Sequence, residues 1–232
     1  MIDGNVARDI IKPRRADHQQ NKKIFYTREE LNTFLRGAKK QGLRKHVLFR
    51  MLAYSGMRIG ELLALTWNDI SFITNTISVN KTLAHDVKGR QFIQTPKTKA
   101  SKRLLNMDNE TMSVLKEYQR ECNKYHDCKL VFSNIKNNFL GTEIVRLWNL
   151  NIAKKAGLEP IKLHGFRHTH ATLLLKSGVP LKGVQYRLGH SKIDTTLNIY
   201  AHFINDEQAK KVGDDFVSNT DPKTDPQIKS TL

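Results

Sequence analysis

The sequence predicts a mixed α+β fold that is mainly α-helical and contains a small three-stranded antiparallel sheet. Apolar residues recur at helical spacing in most segments, and capping residues or glycines bound these segments. The middle of the chain instead carries three short runs rich in strand-forming residues. With 232 residues, of which 39% are hydrophobic, the chain can form one large domain or two small ones around a substantial core.

Three helices are predicted in succession from Thr27 onward. Thr27 and Glu30 form a capping box ahead of a helix that should end at Gly42. A second helix should follow and stop near Gly56, because glycine permits a sharp turn there. The third helix should begin at this turn, which places Arg58 near a helix N-terminus, where anions are favoured.

Three strand-like runs come next, with Gly89 and Pro96 between them. Short runs separated by turn residues predict neighbouring antiparallel strands. We expect these strands at residues 76–83, 90–94 and 102–106.

The remaining chain is predicted to be helical, because apolar residues return to helical spacing. A short apolar segment at 130–132 interrupts this pattern. Thr142 is expected to cap one helix and Gly157 to stop it. The predicted helices cover 109–121, 142–157, 164–178 and 181–188, one that starts near 194, and 206–216.

The strongly basic composition points to a polyanionic partner. Lys and Arg number 39 against 22 Asp and Glu, which gives a net charge of +17. Charge alone does not separate nucleic acid from an anionic membrane, but no apolar run approaches the roughly 20 residues of a membrane span. Double-stranded DNA is therefore the favoured partner, and no membrane association is expected. Cys122 and Cys128 lack the spacing of a zinc site, so we expect reduced thiols, no metal and no cofactor.

Five side chains suited to phosphate chemistry follow one another in short motifs. Arg58 lies in SGMRIGELLAL, and His164 and Arg167 lie in HGFRHTH. His190 ends the motif RLGH, and Tyr200 follows ten residues later. Their order and spacing resemble the tyrosine recombinase (phage integrase) family over roughly residues 27–216. The resemblance implies the catalytic-domain fold of that family.

Cleaving DNA without a metal requires cations for the phosphate and an activated nucleophile. Two guanidiniums can hold the non-bridging oxygens with bidentate hydrogen bonds, and Arg58 and Arg167 suit that role. Tyr200 suits the nucleophile, but its phenol has an ordinary pKa near 10 and needs help to ionise. Attack would store the phosphodiester energy in a phosphotyrosine, so rejoining would need no ATP.

The resemblance also implies roles for the remaining site residues. It assigns His164 to general acid–base work and His190 to a hydrogen bond with the phosphate. It places a lysine on a β-hairpin, where it protonates the departing 5′ oxygen. Lys97 is the best match, although Lys99 and Lys102 lie close enough to be confused with it.

Three further residues stand close to these motifs in the sequence. Glu61 lies three residues after Arg58 and so shares its helix face, where it could orient the guanidinium or form an ordinary surface ion pair. His168 and His170 lie on the helix of Arg167 and are interpreted as structural or DNA-facing.

The sequence therefore predicts a site-specific DNA recombinase, or integrase, that forms a 3′-phosphotyrosine intermediate without metal or ATP. It would integrate or excise a mobile element such as a prophage at DNA attachment sites. The resemblance implies a tetramer on DNA for the full-length protein, acting in the bacterial cytoplasm at the nucleoid. A type IB topoisomerase and a catalytically silent DNA-binding regulator are the alternatives. A silent regulator would be expected to lack an arginine or the tyrosine, and neither is missing.

The resemblance further implies a division of the chain into three parts. Residues 1–23 would be a linker from an N-terminal DNA-binding domain that is missing here. Residues 24–217 would form the catalytic domain, and residues 218–232, with two Asp-Pro pairs, a disordered tail.

Overall fold

A computed structural model of the chain describes residues 23–95, 102–125 and 129–189. In these ranges no helix is long and apolar enough to cross a membrane. The helices are α1 (Arg28–Lys40), α2 (Leu43–Ser55), α3 (Ile59–Leu63), α4 (Asn109–Tyr125), α5 (Thr142–Lys155), α6 (Leu163–Lys176) and α7 (Leu181–Leu188). The strands are β1 (Ile70–Ser71), β2 (Thr76–Val79), β3 (Thr82–His85), β4 (Gln91–Gln94) and β5 (Arg103–Asn106).

An aromatic cluster joins the segment before α1 to helices α1, α2 and α6. Tyr26, Phe34, Phe49 and Phe166 are each at most 1% exposed. The ring centroid of Phe166 lies 5.0 Å from that of Phe34 and 5.4 Å from that of Phe49. The rings meet edge to face or tilted, and aromatic pairs favour such arrangements over face-to-face stacking. Because Phe166 immediately precedes Arg167 in α6, this cluster fixes the part of α6 that carries the predicted site.

The three predicted N-terminal helices are present, and the third is short. The capping box is present, since Thr27 Oγ1 accepts the Glu30 N–H and the Glu30 carboxylate accepts the Thr27 N–H. Gly56 ends α2 in the left-handed conformation, and Arg58 lies directly before α3. However, α3 has only five residues, and the Arg58 N–H already donates to Glu61. The expectation that an anion is favoured at this helix N-terminus therefore stays a prediction.

The three-stranded antiparallel sheet is present, but its strands differ from those expected. Its order is β1-β2-β5, so the very short β1 takes the place predicted for residues 90–94. Those residues form β4, which pairs with β3 in a separate two-stranded ribbon. The run 76–83 breaks at Asn80 and Lys81 because both side chains turn to the carboxylate of Asp69.

The later helices agree with the sequence to within a few residues. α4 continues to Tyr125, past the predicted end at 121, and α7 has its predicted bounds. Gly141 is the N-cap of α5, whereas Thr142 is its first helical residue and not the cap. Residues 1–22 and 190–232 lie outside the described residues. They include all but the last residue of the predicted linker, the two predicted C-terminal helices and the tail, so the proposed domain division stays a prediction.

Replacing Gly56 by alanine should destabilise the fold more than the same change at Gly157. Both glycines have left-handed φ angles, 66° and 69°, a conformation that costs an ordinary residue about 1–2 kcal/mol. A Cβ at Gly56 would also lie 2.6 Å from His170 Cδ2 and 2.9 Å from Leu188 Cδ2, whereas nothing lies within 4 Å at Gly157. We expect Gly56→Ala to lose about 1–3 kcal/mol more free energy of unfolding than Gly157→Ala in urea titrations. Equal losses would contradict the close packing of α2, α6 and α7 at this point.

Candidate active site

The structure brings Arg58, His164 and Arg167 together at the N-terminal end of α6. Arg167 Nη1 donates to the carbonyl oxygen of Gly56 at 2.8 Å, two residues before Arg58. His164 lies one turn earlier in α6, close enough for the charges of both arginines to lower its pKa. The other predicted catalytic residues, Lys97, His190 and Tyr200, lie outside the described residues.

Arg58 combines an accessible guanidinium with a fixed base. Its side chain is 41% exposed, and its Nη1 donates to Glu61 Oε1 at 2.9 Å. Glu61 also accepts the backbone N–H of Arg58, and its own side chain is only 5% exposed. Interpreting Glu61 as part of an ordinary surface ion pair is therefore wrong. The buried carboxylate holds the start of α3 and orients the guanidinium.

Glu61 has a second cationic partner in Arg103, the first residue of β5. Arg103 Nη1 and Nη2 donate to the two Glu61 oxygens at 3.2 Å and 2.9 Å. Burial opposes ionisation of Glu61, but hydrogen bonds and charge from Arg103, and then from Arg58, outweigh it. The pKa of Glu61 is therefore lowered. The carboxylate is ionised at neutral pH, between two guanidiniums.

Arg167 is buried, unlike Arg58. Its side chain is 1% exposed, and its Nη2 donates to the Leu188 carbonyl oxygen at 2.8 Å. Its Nε–H is also buried and has no acceptor among the described residues. Burial and then the charge of Arg58 lower its pKa to about 9, so the guanidinium remains protonated at neutral pH. Arg58 thus presents its charge to solvent, whereas Arg167 supplies its charge from the interior.

The C-terminal end of α7 rests on two buried arginines. The last carbonyls of a helix lack partners within the helix and carry its negative dipole end. Here Arg103 Nε donates to the Arg187 carbonyl at 2.8 Å, and Arg167 donates to that of Leu188. Gly189 ends the helix with a φ of 68°. The motif that leads to His190 is therefore attached to the Arg58–Glu61 pair by hydrogen bonds.

His164 is neutral at physiological pH. Its ring meets that of His168 edge to face, with centroids 4.7 Å apart. Although His164 is exposed at the surface, partial desolvation and then the charges of His168, Arg167 and Arg58 lower its pKa to about 4. A neutral imidazole can accept a proton, which suits a general base better than a cation that binds phosphate.

Comparison with known proteins shows the family of this chain. The sequence profile of the Phage integrase family matches residues 24–207. The chain belongs to the phage integrase family. A XerC-like tyrosine recombinase of Caldanaerobacter subterraneus subsp. tengcongensis is 33% identical over 74% of this chain and 49% of that protein. The ICEBs1 integrase of Bacillus subtilis is 27% identical over 90% of this chain and 60% of that protein. The chain thus spans about half to three-fifths of these two relatives.

A solved integrase structure has the same fold as this phage integrase family chain. The Tn1549 transposon integrase in complex with circular intermediate DNA aligns with a TM-score of 0.68 and 25% identity. The alignment covers 81% of this chain and 66% of that one. The predicted fold class, mainly helical with a small antiparallel sheet, is confirmed.

His170, which the sequence left as structural or DNA-facing, is structural in this family member. It is 6% exposed, its Nδ1 lies 2.8 Å from the Ala53 carbonyl oxygen, and its Nε2 lies 2.9 Å from Arg187 Nε. Because the carbonyl accepts and the guanidinium donates, the ring carries its single proton on Nδ1. A second proton on Nε2 would face the Arg187 N–H. Burial and then the charge of Arg187 accordingly lower the pKa of His170 to about 3.

The integrase-family chain should lose stability as the pH falls below about 6.5, partly through His170. The unfolded chain binds a proton at His170 near pH 6.5, whereas the folded chain resists it until about pH 3. Stability from this group is therefore complete above pH 6.5 and falls by about 2 kcal/mol at pH 5. His170→Gln, which keeps a donor and an acceptor, should remove that part of the slope in urea titrations at pH 5–8. His85→Gln, at an exposed position of β3, should keep the parent slope. Identical slopes in all three proteins would contradict a buried neutral His170.

Arg103 and Arg187 were not predicted from the sequence, because their partners are far away in the chain. Arg187 donates to the carbonyl oxygens of Asn106 and Tyr54 at 3.0 Å, besides its bond to His170. No local sequence pattern predicts those contacts. One sequence feature could have identified Arg103. It lies two residues before Leu105 in a predicted strand, so both side chains lie on the same, buried face of β5. An arginine on the core side of a strand needs a buried anion, and Glu61 is that anion.

Metal ligands are not clustered in the part of the chain that the structure describes. Among these residues no group of three or more His, Cys, Asp or Glu side chains could hold a metal ion. Cys122 is partly buried, and Cys128 lies outside the described residues.

Proposed function

We propose that this chain is the catalytic part of a site-specific DNA recombinase that cleaves and rejoins strands through a 3′-phosphotyrosine. The observation that carries the proposal is the arrangement around Arg58. An accessible guanidinium, oriented by a buried carboxylate, lies near a neutral histidine and a second, buried guanidinium. Such a site offers fixed positive charge to an anionic phosphodiester, and it offers a base that can accept a proton. In the Arg58–Glu61 pair, the cation is exposed and the carboxylate is buried.

In the proposed reaction, the Tyr200 oxygen attacks phosphorus and the bond to the 5′ oxygen breaks. His164 accepts the phenolic proton, and Lys97 delivers a proton to the departing 5′ oxygen. Arg58 donates to the non-bridging oxygens, where charge develops, while His190 adds a hydrogen bond and Arg167 contributes its charge from the interior. Attack by a 5′ hydroxyl on the phosphotyrosine reverses these steps and rejoins the strand.

The proposed substrate is double-stranded DNA at the attachment sites of a mobile element. A net charge of +17 supports a polyanionic partner, and the Tn1549 integrase with the same fold was solved on circular intermediate DNA. The relatives are named recombinases, integrases and transposases, which favours strand exchange over the relaxation of supercoils. We further propose that the full-length protein acts as a tetramer on DNA in the bacterial cytoplasm.

The test uses duplex DNA that carries a candidate attachment core and a nick beside the scissile phosphate. The nick lets the cut fragment diffuse away and traps the protein on DNA. We expect a covalent adduct on a denaturing gel with a chelator present and without ATP. A requirement for divalent metal would contradict the mechanism. Tight binding without any adduct would instead support the silent regulator.

A further inference from the structure

Arg103 is a buried cation that lies against Glu61 in the candidate site. Its side chain is 0% exposed, whereas that of Arg58 is 41% exposed. Burying a guanidinium is unfavourable unless an anion and further acceptors surround it. Glu61 provides both carboxylate oxygens, and the Arg187 carbonyl provides a third acceptor at 2.8 Å.

The charges explain why a second arginine is useful at this point. One carboxylate balances one guanidinium, and Glu61 contacts two of them. If Glu61 had only Arg58 as a partner, the pair would be neutral, and the accessible guanidinium would be held inward. With Arg103 bound through both nitrogens, the three side chains keep one net positive charge, and Arg58 is the member that faces solvent.

We propose that Arg103 is a positioning residue for strand cleavage, because it holds and neutralises Glu61 and so leaves the charge of Arg58 available to a DNA phosphate. This inference rests on the proposed recombinase function. Arg103 also begins β5, directly after the segment that carries Lys97, and it bonds to the end of α7 before His190. A single buried side chain therefore connects α3, β5 and the C-terminal end of α7.

The first test is Arg103→Met, a change that removes the charge and leaves Glu61 with Arg58 alone. At saturating nicked DNA, we expect adduct formation to slow by about 10- to 100-fold, as for other residues that act through a neighbour. The matched control is Arg50→Met. Arg50 is also buried and pairs with Asp108 and Glu110, but it lies between α2 and α4. The folded fraction of Arg50→Met should form the DNA adduct at the rate of the parent protein.

The second test separates a role in charge from a role in folding alone. Adding Glu61→Gln to Arg103→Met removes the unbalanced carboxylate, so cleavage should become about fivefold or more faster than in Arg103→Met. Loss of packing alone would not be repaired by a second change. Arg103→Gln, which keeps an amide donor without the charge, serves the same comparison if Arg103→Met does not fold. Parent-like cleavage in folded Arg103→Met, or no recovery in the double variant, would overturn the proposal.

A measurement without DNA keeps this inference separate from the recombinase function. Phenylglyoxal labels accessible guanidiniums, and peptide mass spectrometry reports the labelling of Arg58. We expect Arg58 to react several-fold more slowly in Arg103→Met and to recover in the double variant. If the parent protein forms no covalent adduct with nicked DNA, the recombinase proposal fails. The phenylglyoxal comparison still decides the role of Arg103 in that case. Equal labelling of Arg58 in all three proteins would overturn that role.

Discussion

Arg58→Ala is expected to slow strand cleavage by about 100- to 1,000-fold at saturating DNA. Arg58 is the guanidinium of the site that solvent can reach, and a donor aimed at developing charge is worth about this much. The fold should tolerate the change, because the side chain is 41% exposed and Glu61 keeps Arg103 as a partner. Single-turnover kinetics on nicked DNA, with the folded fraction measured separately, give the rate.

The control for this variant is Arg146→Ala. Arg146 is also an exposed arginine that pairs with a glutamate three residues away, Glu143 at 3.2 Å. It lies on α5, and its removal deletes the same charge from the protein. A similar slowing in both variants would mean that Arg58 acts only through the net charge of the protein. That result would contradict the proposed hydrogen bonds from Arg58 to the non-bridging phosphate oxygens.

Lys97→Ala is expected to slow cleavage by about 100- to 10,000-fold, the usual contribution of a general acid. DNA binding should remain nearly unchanged, because one phosphate contact among many is lost. The 5′ oxygen is a poor leaving group unless it is protonated as it departs. A bridging sulfur at this position leaves without a proton, so a 5′-thio substrate should restore cleavage to Lys97→Ala.

The same substrate tests the assignment of the acid. It should not rescue Arg58→Ala, because sulfur does not remove the charge on the non-bridging oxygens. Rescue of Lys99→Ala or Lys102→Ala would move the acid to that lysine. If sulfur rescued none of the lysine variants, the proton would come from elsewhere, and His164 would be the next candidate.

The order and spacing of Arg58, His164 and Arg167 resemble the motifs of the tyrosine recombinase family, and that resemblance identified them from the sequence. The structure places these three residues together. The separate exposures of Arg58 and Arg167 were not predictable. Burial depends on where the Gly56 and Leu188 carbonyls come to lie, and those positions are set by the packing of distant helices.

The same limit applies to the sheet. Alternation and turn residues correctly indicated short antiparallel strands, but alternation does not say which strands pair. The two residues of β1 are too few to give a pattern, and the break at Asn80 depends on Asp69, eleven residues earlier. Arg103 illustrates both points, since its strand was predicted while its bond to Glu61 joins residues 42 positions apart.

The most direct measurement of the proposed function is to identify the residue that becomes attached to DNA. The adduct formed on nicked attachment-site DNA is digested with protease and nuclease, and the peptide that retains a nucleotide is sequenced by mass spectrometry. We expect the nucleotide on Tyr200, joined through a 3′ phosphate, and no adduct in Tyr200→Phe. An adduct that survives in Tyr200→Phe, or one that maps to another residue, would contradict the account.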